Sequence, residues 1–231
     1  MDHVFLDFEM NPISRSHKEA RQVVRGEIIE IGAVKLDSDY LLTDRYSAYV
    51  KPALCGIAPH IVTLTGITDQ KVAGASPLSE ALEAFVRWIG PDPVRIYSWS
   101  DSDKKQLTRE CQLKELPLPR VFRRWMDFQR IYTRLLGLSR RSRLSLSNAV
   151  GSVENDFEGK QHSAMADAEN AASLLTLVKN REAFARRSKI IRELMDGDSV
   201  AATTLGDLYG DLFAQYITSR REAAPEEAAT V

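Results

Sequence analysis

His3-Val-Phe-Leu-Asp-Phe-Glu9 reads as a buried strand that closes on two acids. Side chains alternate between faces along a strand, so Asp7 and Glu9 project together while Leu6 and Phe8 take the other face. Two carboxylates side by side on a core strand repel, and they are costly to desolvate unless cations neutralise them. Mg²⁺ prefers oxygen ligands, and one or two carboxylates with a substrate phosphate commonly complete its shell. An exposed strand end explains most such triplets without any metal, so the pair carries little weight alone.

Working outward, residues 27–36 (EIIEIGAVKL) form a second strand rich in β-branched residues, and residues 44–50 a third. Residues 11–26, polar and with Pro12 near the start, read as a surface loop. Short sequential strands with small connections predict an antiparallel meander at one end of a mixed sheet. Ser76-Pro77 opens a helix carried by Leu78, Leu82, Phe85 and Ile89 at helical spacing, and Gly90-Pro91 closes it. Residues 94–99 (VRIYSW) are a fourth strand and 102–113 a helix. Residues 125–128 are a short fifth strand, and 128–136 and 145–150 are helical. A further helix follows His162 and ends near Asn180. The fold class is therefore α/β, a mixed sheet flanked by helices.

Two further segments hold acids at element ends. In Trp99-Ser-Asp-Ser-Asp103-Lys-Lys-Gln-Leu107, Asp103 stands four residues before Leu107, so Leu107 can anchor the helix while Asp103 faces a cleft. Asp101 competes for that role, and either acid could simply cap the helix. In His162-Ser-Ala-Met-Ala-Asp167-Ala168, five helical residues would turn about 140° off a common face. His162 and Asp167 converge only if His162 lies in the loop before the helix and Asp167 in its first turns. Ser163 offers a cap that leaves His162 free. Ala164, Ala166, Ala168, Ala171 and Ala172 keep this helix thin enough to press on a sheet.

The bulk numbers fit one such domain with an appendage. The chain has 231 residues, 44% apolar and 27% charged, with a net charge of −1. No apolar run approaches the roughly 20 residues a membrane helix needs, and the acids at 7 and 9 interrupt the only short apolar run at the N-terminus. Cys55 and Cys111 show neither metal-ligand spacing nor a disulfide framework, so a reduced cytoplasmic protein is expected. Eight arginines fall between Arg120 and Arg143 (120, 123, 124, 130, 134, 140, 141, 143) against one acid, Asp127. Lying between the two acidic segments just described, they suggest a face for a phosphate backbone. Trp99, Trp125 and Phe128 could stack on a flexible strand, although a place in the core is the commoner fate of such residues.

The ordered set resembles the DEDDh exonucleases, the RNase T/DnaQ-like superfamily with an RNase H-like fold, and within it the Eri-1-type and KapD-like branch. The matching segments are Phe5-Leu-Asp-Phe-Glu-Met10, Glu27-Ile-Ile-Glu-Ile-Gly-Ala-Val34, Leu64-Thr-Gly-Ile67, Ser98-Trp99 with Asp103 and Leu107, and His162-Ser-Ala-Met-Ala-Asp-Ala168. The resemblance implies that Asp7, Glu9, Asp103 and Asp167 bind two divalent cations, Mg²⁺ or Mn²⁺, and that His162 is the general base. It implies that Leu64, Thr65, Gly66 and Ile67, with Met10, pack around a 3′-terminal nucleotide. It also implies 3′–5′ removal of nucleoside 5′-monophosphates from single-stranded ends, RNA in preference to DNA. One departure is Ser100, where such proteins often carry Gly, and this keeps Asp101 in contention with Asp103.

The similarity covers about residues 3 to 180, which sets the expected division: an exonuclease domain at 1–180, a helical extension at 181–221, and a disordered acidic tail at 222–231. The extension offers a surface for a homodimer or a protein partner. Two rival functions remain open at this point, a DNA-directed proofreading or repair exonuclease and a KapD-like regulatory protein that keeps the fold without turnover.

Overall fold

The computed structural model describes residues 1–139, 143–153 and 157–189. The strand around Asp7 is longer than its apolar run: β1 spans Asp2–Pro12. It lies at the centre of a sheet with β2 (Gly26–Leu36), β3 (Leu42–Tyr49), β4 (Val94–Ser98) and β5 (Trp125–Asp127), in the order β3-β2-β1-β4-β5. β1–β2 and β2–β3 are antiparallel, the expected meander, while β1–β4 and β4–β5 are parallel. The helices are α1 (Lys18–Val23), α2 (Pro59–Thr65), α3 (Asp69–Val72), α4 (Leu78–Ile89), α5 (Ser102–Leu113), α6 (Phe128–Leu135), α7 (Leu146–Gly151), α8 (Ala164–Lys179) and α9 (Arg181–Arg187).

The alternation along β1 separates two cores. Val4, Leu6 and Phe8 pack with Leu82, Phe85 and Ile89 of α4 and Leu107 of α5. Phe5 packs on the opposite face with Phe128 and Tyr132 of α6 and Leu174 of α8. Asp7 and Glu9 share that second face, beyond Phe5, where the aromatic packing ends. Trp99, Trp125 and Phe128 are all buried, as the bland reading of them predicts.

α5 is tied to β2 by charge. Glu110, fully buried, accepts a hydrogen bond from Ile28 N at 2.8 Å and pairs with Lys114 Nζ at 2.8 Å, and the same ammonium reaches Glu27 at 3.1 Å. A buried charge network of this kind contributes more to specificity of placement than to net stability. It holds α5 in place, and the opposite end of that helix carries Asp103.

One loop reading needs correction: the 11–26 segment contains the short helix α1. The stretch around Leu64 holds two short helices, α2 and α3, that the sequence left unassigned. Tertiary clamps fix the start of α2: Asn11 accepts from Ala58 N at 2.9 Å and donates to Gly56 O at 3.1 Å, and Asp69 accepts from Ile57 N at 2.8 Å. Helices of four to seven residues carry too little periodicity to be seen in sequence. Beyond Asn180, α9 begins the expected extension and buries Phe184 against Tyr132, ring centroids 5.8 Å apart. The rest of that extension and the acidic tail lie outside the described residues, as do Arg140 and Arg141. No helix among the described residues is long and apolar enough to cross a membrane.

Candidate active site

The site forms where the β1–β4 ladder stops. β4 pairs with β1 only from Asp2 to Phe5, so the next stretch of β1 has no strand on that side. The chain leaves β4, turns through Trp99 to Asp101, and starts α5. Asp103, in its first turn and 3% exposed, accepts a hydrogen bond from Phe8 N at 3.2 Å and one from the Ser102 hydroxyl at 3.3 Å. The unfinished edge of β1 thus draws Asp103 in beside Phe8, close enough to repel both Asp7 and Glu9. Asp101 goes elsewhere. It occupies the N-cap position of α5 without a capping bond, and it pairs with Lys105 Nζ at 2.6 Å on the surface.

Asp167 arrives from the other direction, on α8. Gly32 stands directly opposite Asp7 in the β1–β2 register, and a Cβ there would lie 2.1 Å from Ala164 C and 2.2 Å from Met165 N. Only a glycine lets the helix backbone rest on the sheet at that point. With the alanines along α8, this brings the first turns of the helix against the acidic face. Gly32→Ala is therefore expected to destabilise the protein by about 3 kcal/mol through overpacking against rigid backbone. It should also cut turnover at least a hundredfold, since α8 must lift and take Asp167 with it. A Gly32→Ala protein that melts and turns over like its parent would show that α8 is not seated this way.

His162 lies in the turn before α8, as convergence with Asp167 requires, at a positive φ of 61°. The Asp167 carboxylate accepts the His162 backbone N–H. Ligand atoms of Glu9, His162 and Asp167 lie within 4.8 Å of one another, with His162 exposed at the mouth. Asn170, 3% exposed, holds this turn down by accepting from Glu158 N at 3.1 Å and donating to Glu158 O at 2.8 Å.

Ser163 occupies the N-cap position of α8 but makes no capping bond, contrary to its expected role. The helix's first amide, Ala164 N, instead donates to Glu30 Oε2 at 3.1 Å. Glu30 stands opposite Glu9 in the register and is 7% exposed. It is a fifth carboxylate at the centre, and sequence reading missed it. Its segment was legible as a strand, but nothing in the sequence reveals which residue of β2 faces Glu9. Lys160 was missed as well: its ammonium lies 3.4 Å from where a Gly66 Cβ would sit, and its charge acts on Glu9.

Electrostatics follow from this crowding. Burial, then repulsion from Asp103, Asp167, Glu9 and Glu30, holds Asp7 well above the ordinary carboxylate range. Burial pushes Glu9 up to about 8, with Asp167, Glu30 and Asp103 adding repulsion. Asp103 is pushed to about 7 and Asp167 to about 6, burial leading in both cases. Phe8 N–H and Ser102 oppose the shift at Asp103, and His162 opposes it at Asp167. Among the described residues, neither Asp7 nor Glu9 forms an ion pair. Converging, desolvated, oxygen-only acids with so little basic compensation fit the donor set of a hard divalent cation.

The nucleotide-contact candidates do not share one surface, and Met10 packs against the core of Leu6 and Phe8. Met10 is half-buried on β1 after a register shift between Glu9 and Met10. Leu64 is 42% exposed, Thr65 bonds its hydroxyl to Ile61 O at 2.8 Å, and Gly66 ends α2 in a left-handed conformation. Ile67 turns inward, 2% exposed, in a small core with Ile29, Ile57, Ile61 and Val72.

A central strand bearing Asp7 and Glu9, a helix N-terminus bearing Asp103 and a packed helix bearing Asp167 define an RNase H-like nuclease fold with an acidic centre. The chain belongs to the exonuclease family of the RNase T type, whose family model matches residues 4–175. It is 30% identical over 171 residues to ERI1 exoribonuclease 2 of Danio rerio, covering 64% of this chain and 30% of that one. To 3′-5′ exoribonuclease 1 of Rattus norvegicus it is 26% identical over 159 residues, covering 64% and 45%. The chain thus spans less than half the length of these relatives. In structure it superimposes on the nuclease domain of 3′hExo, a DEDDh family member bound to rAMP, with a TM-score of 0.69. Sequence identity there is 22%, over 78% of this chain and 92% of that one.

Proposed function

We propose that this chain is a divalent-metal-dependent 3′–5′ exonuclease that releases nucleoside 5′-monophosphates from single-stranded 3′ ends, RNA in preference to DNA. The observation that carries it is that ligand atoms of Glu9, His162 and Asp167 lie within 4.8 Å of one another, with Asp7 and Asp103 buried close enough to repel these acids. The RNA preference is supported by relatives named as exoribonucleases. Asp7, Glu9, Asp103 and Asp167 would hold two cations, Mg²⁺ or Mn²⁺. When bound, such ions acidify a water nucleophile and stabilise charge on the leaving 3′ oxygen.

The chain's own groups supply the rest. His162 is exposed, so its imidazole can take a proton from the attacking water and pass it to solvent. Its backbone is fixed by Asp167, and the turn beneath it by Asn170, so the ring is presented at a set place. Met10 and the Leu64–Gly66 surface would contact the terminal nucleotide, with Ile67 supporting that surface from within. Lys160, above Gly66 and near Glu9, adds a cation on the same side.

The nuclease unit is placed at 1–180. The packing of Phe184 on Tyr132 supports a 181–221 extension that starts against this unit, and a homodimer or protein partner is assigned within this proposal to the remainder. The free thiols of Cys55 and Cys111 suit a reducing, cytoplasmic setting.

The test uses 5′-labelled single-stranded RNA beside the matched DNA, with Mg²⁺ or Mn²⁺. A ladder shortening from the 3′ end, faster on RNA, is expected. His162→Ala should lower kcat by about 10²- to 10⁴-fold while substrate binding stays within a few-fold. Near-normal turnover by that variant removes His162 from the mechanism. Faster cutting of DNA makes this a DNA-directed enzyme, and no cutting of either strand favours the regulatory reading.

A further inference from the structure

Cationic groups stand on both sides of the acidic centre, but they are built differently. On one side, Lys160 Nζ lies 3.4 Å from where a Gly66 Cβ would sit, at the end of α2, and its charge acts on Glu9. On the β4–β5 side the surface carries arginines that form no ion pair among the described residues. Arg130 and Arg143 are both exposed, and both act electrostatically on Asp101 and Asp127. Asp101 itself pairs with Lys105 Nζ at 2.6 Å. Asp127, paired with Ser98 at the end of β4, spends one carboxylate oxygen on the amide of Arg130 at 3.0 Å.

Arg143 is also mounted. Its guanidinium donates to Gln129 Oε1 at 3.3 Å, and Gln129 is 7% exposed. The other end of that amide donates to Leu144 O at 2.8 Å, and the same carbonyl accepts Trp99 Nε1 at 3.0 Å. A buried glutamine and a buried tryptophan thus fix the backbone and the head of an exposed arginine. A solvated surface arginine has no need of such support. The mount begins at Trp99, four residues from Asp103, so the arginine and the acidic centre are parts of one rigid unit.

We propose that Arg130 and Arg143 form a phosphate subsite for the body of the single strand, upstream of the nucleotide being removed. The inference rests on the exonuclease reading and gives the substrate a path: in at the acidic centre, out over the N-terminal ends of α5 and α6. Two arginines contribute a salt-dependent, sequence-independent attraction, and they act only on strands long enough to reach them.

The test separates length from chemistry. Arg130→Gln/Arg143→Gln is made in the full chain, and again in the His162→Ala background for equilibrium binding. Anisotropy of a labelled twelve-residue oligoadenylate should show at least tenfold weaker binding at 0.1 M salt. The slope of log K against log salt should shrink by about 1.4, at about 0.7 for each single-strand phosphate neutralised. Turnover of a dinucleotide, with His162 intact, should stay within twofold. The Arg→Lys pair should keep most of the salt slope, because the charge remains. An unchanged slope and affinity for the twelve-residue strand overturns the subsite while leaving the nuclease standing. Equal losses on the dinucleotide and the long strand also overturn it, by placing the arginines in the centre itself or in the fold. If the parent neither binds nor cuts the strand, the exonuclease reading falls and the subsite with it.

Discussion

The metal-free protein is expected to lose thermal stability as pH rises from about 4 to about 8, and divalent cations should return it. The sign follows from the acidic centre. Glu9 near 8, Asp103 near 7, Asp167 near 6 and Asp7 well above the usual range all keep protons in the folded state that the unfolded chain has already released. Where the native state binds more protons than the unfolded state, stability falls with rising pH. Below the ordinary carboxylate range both states are protonated and the centre costs nothing. Above about 8, Glu9, Asp103 and Asp167 are ionised and repel one another. At roughly 2–4 °C per kcal/mol for a chain of this size, Tm should drop on the order of 10 °C across the window. Millimolar Mg²⁺ or Mn²⁺ should recover most of that loss at pH 8 and little at pH 5, because the ions bind only ionised ligands. Calorimetry with and without EDTA decides the matter. A Tm that is flat with pH and indifferent to metal would mean these carboxylates do not form a cation site.

The second large effect separates Asp103 from Asp101. Asp103→Asn should reduce kcat by at least a thousandfold, since a neutral amide oxygen would hold a divalent cation far more weakly than a carboxylate does. The amide oxygen can still accept from Phe8 N, so the fold survives. Metal-free Tm at pH 8 should rise by several degrees, because one buried repelling charge is gone. Asp101→Asn should stay within about threefold of the parent in kcat, since it loses only a surface ion pair, commonly worth less than about 1 kcal/mol. A variant that loses activity and gains stability together is the signature of a functional charge held against its environment. If Asp101→Asn were the inactive one, the assignment from the Phe8–Asp103 hydrogen bond would be wrong.

Much of the architecture was legible because its signals are local. Alternation along β1 separated Leu6 and Phe8 from Asp7 and Glu9, and the helix at 102–113 agrees with α5 residue for residue. The alanine run anticipated a helix lying close on the sheet. The geometric condition on His162 and Asp167, one in the loop and one in the first turns, is what the structure holds. α1, α2 and α3 were not legible, since such short helices carry too little periodicity, and the start of α2 is set by Asn11 and Asp69 reaching across the chain.

By itself, the sequence determined which residues could carry charge chemistry and on what kind of element each would sit. Residue type and a repeat of two or 3.6 are written into neighbouring positions, and no folding is needed to read them. Three matters were decided only by the tertiary structure. Asp103 rather than Asp101 enters the centre because β4 ends early and leaves Phe8 N–H to be satisfied. Glu30 joins the acids because antiparallel register sets it across from Glu9, and it replaces Ser163 as the acceptor for the first amide of α8. Gly32 matters because the absent Cβ is the space that the α8 backbone occupies. Each depends on which backbone groups are left unpaired or unshielded once strands and helices meet. That is a property of partners distant in sequence, so no local pattern encodes it.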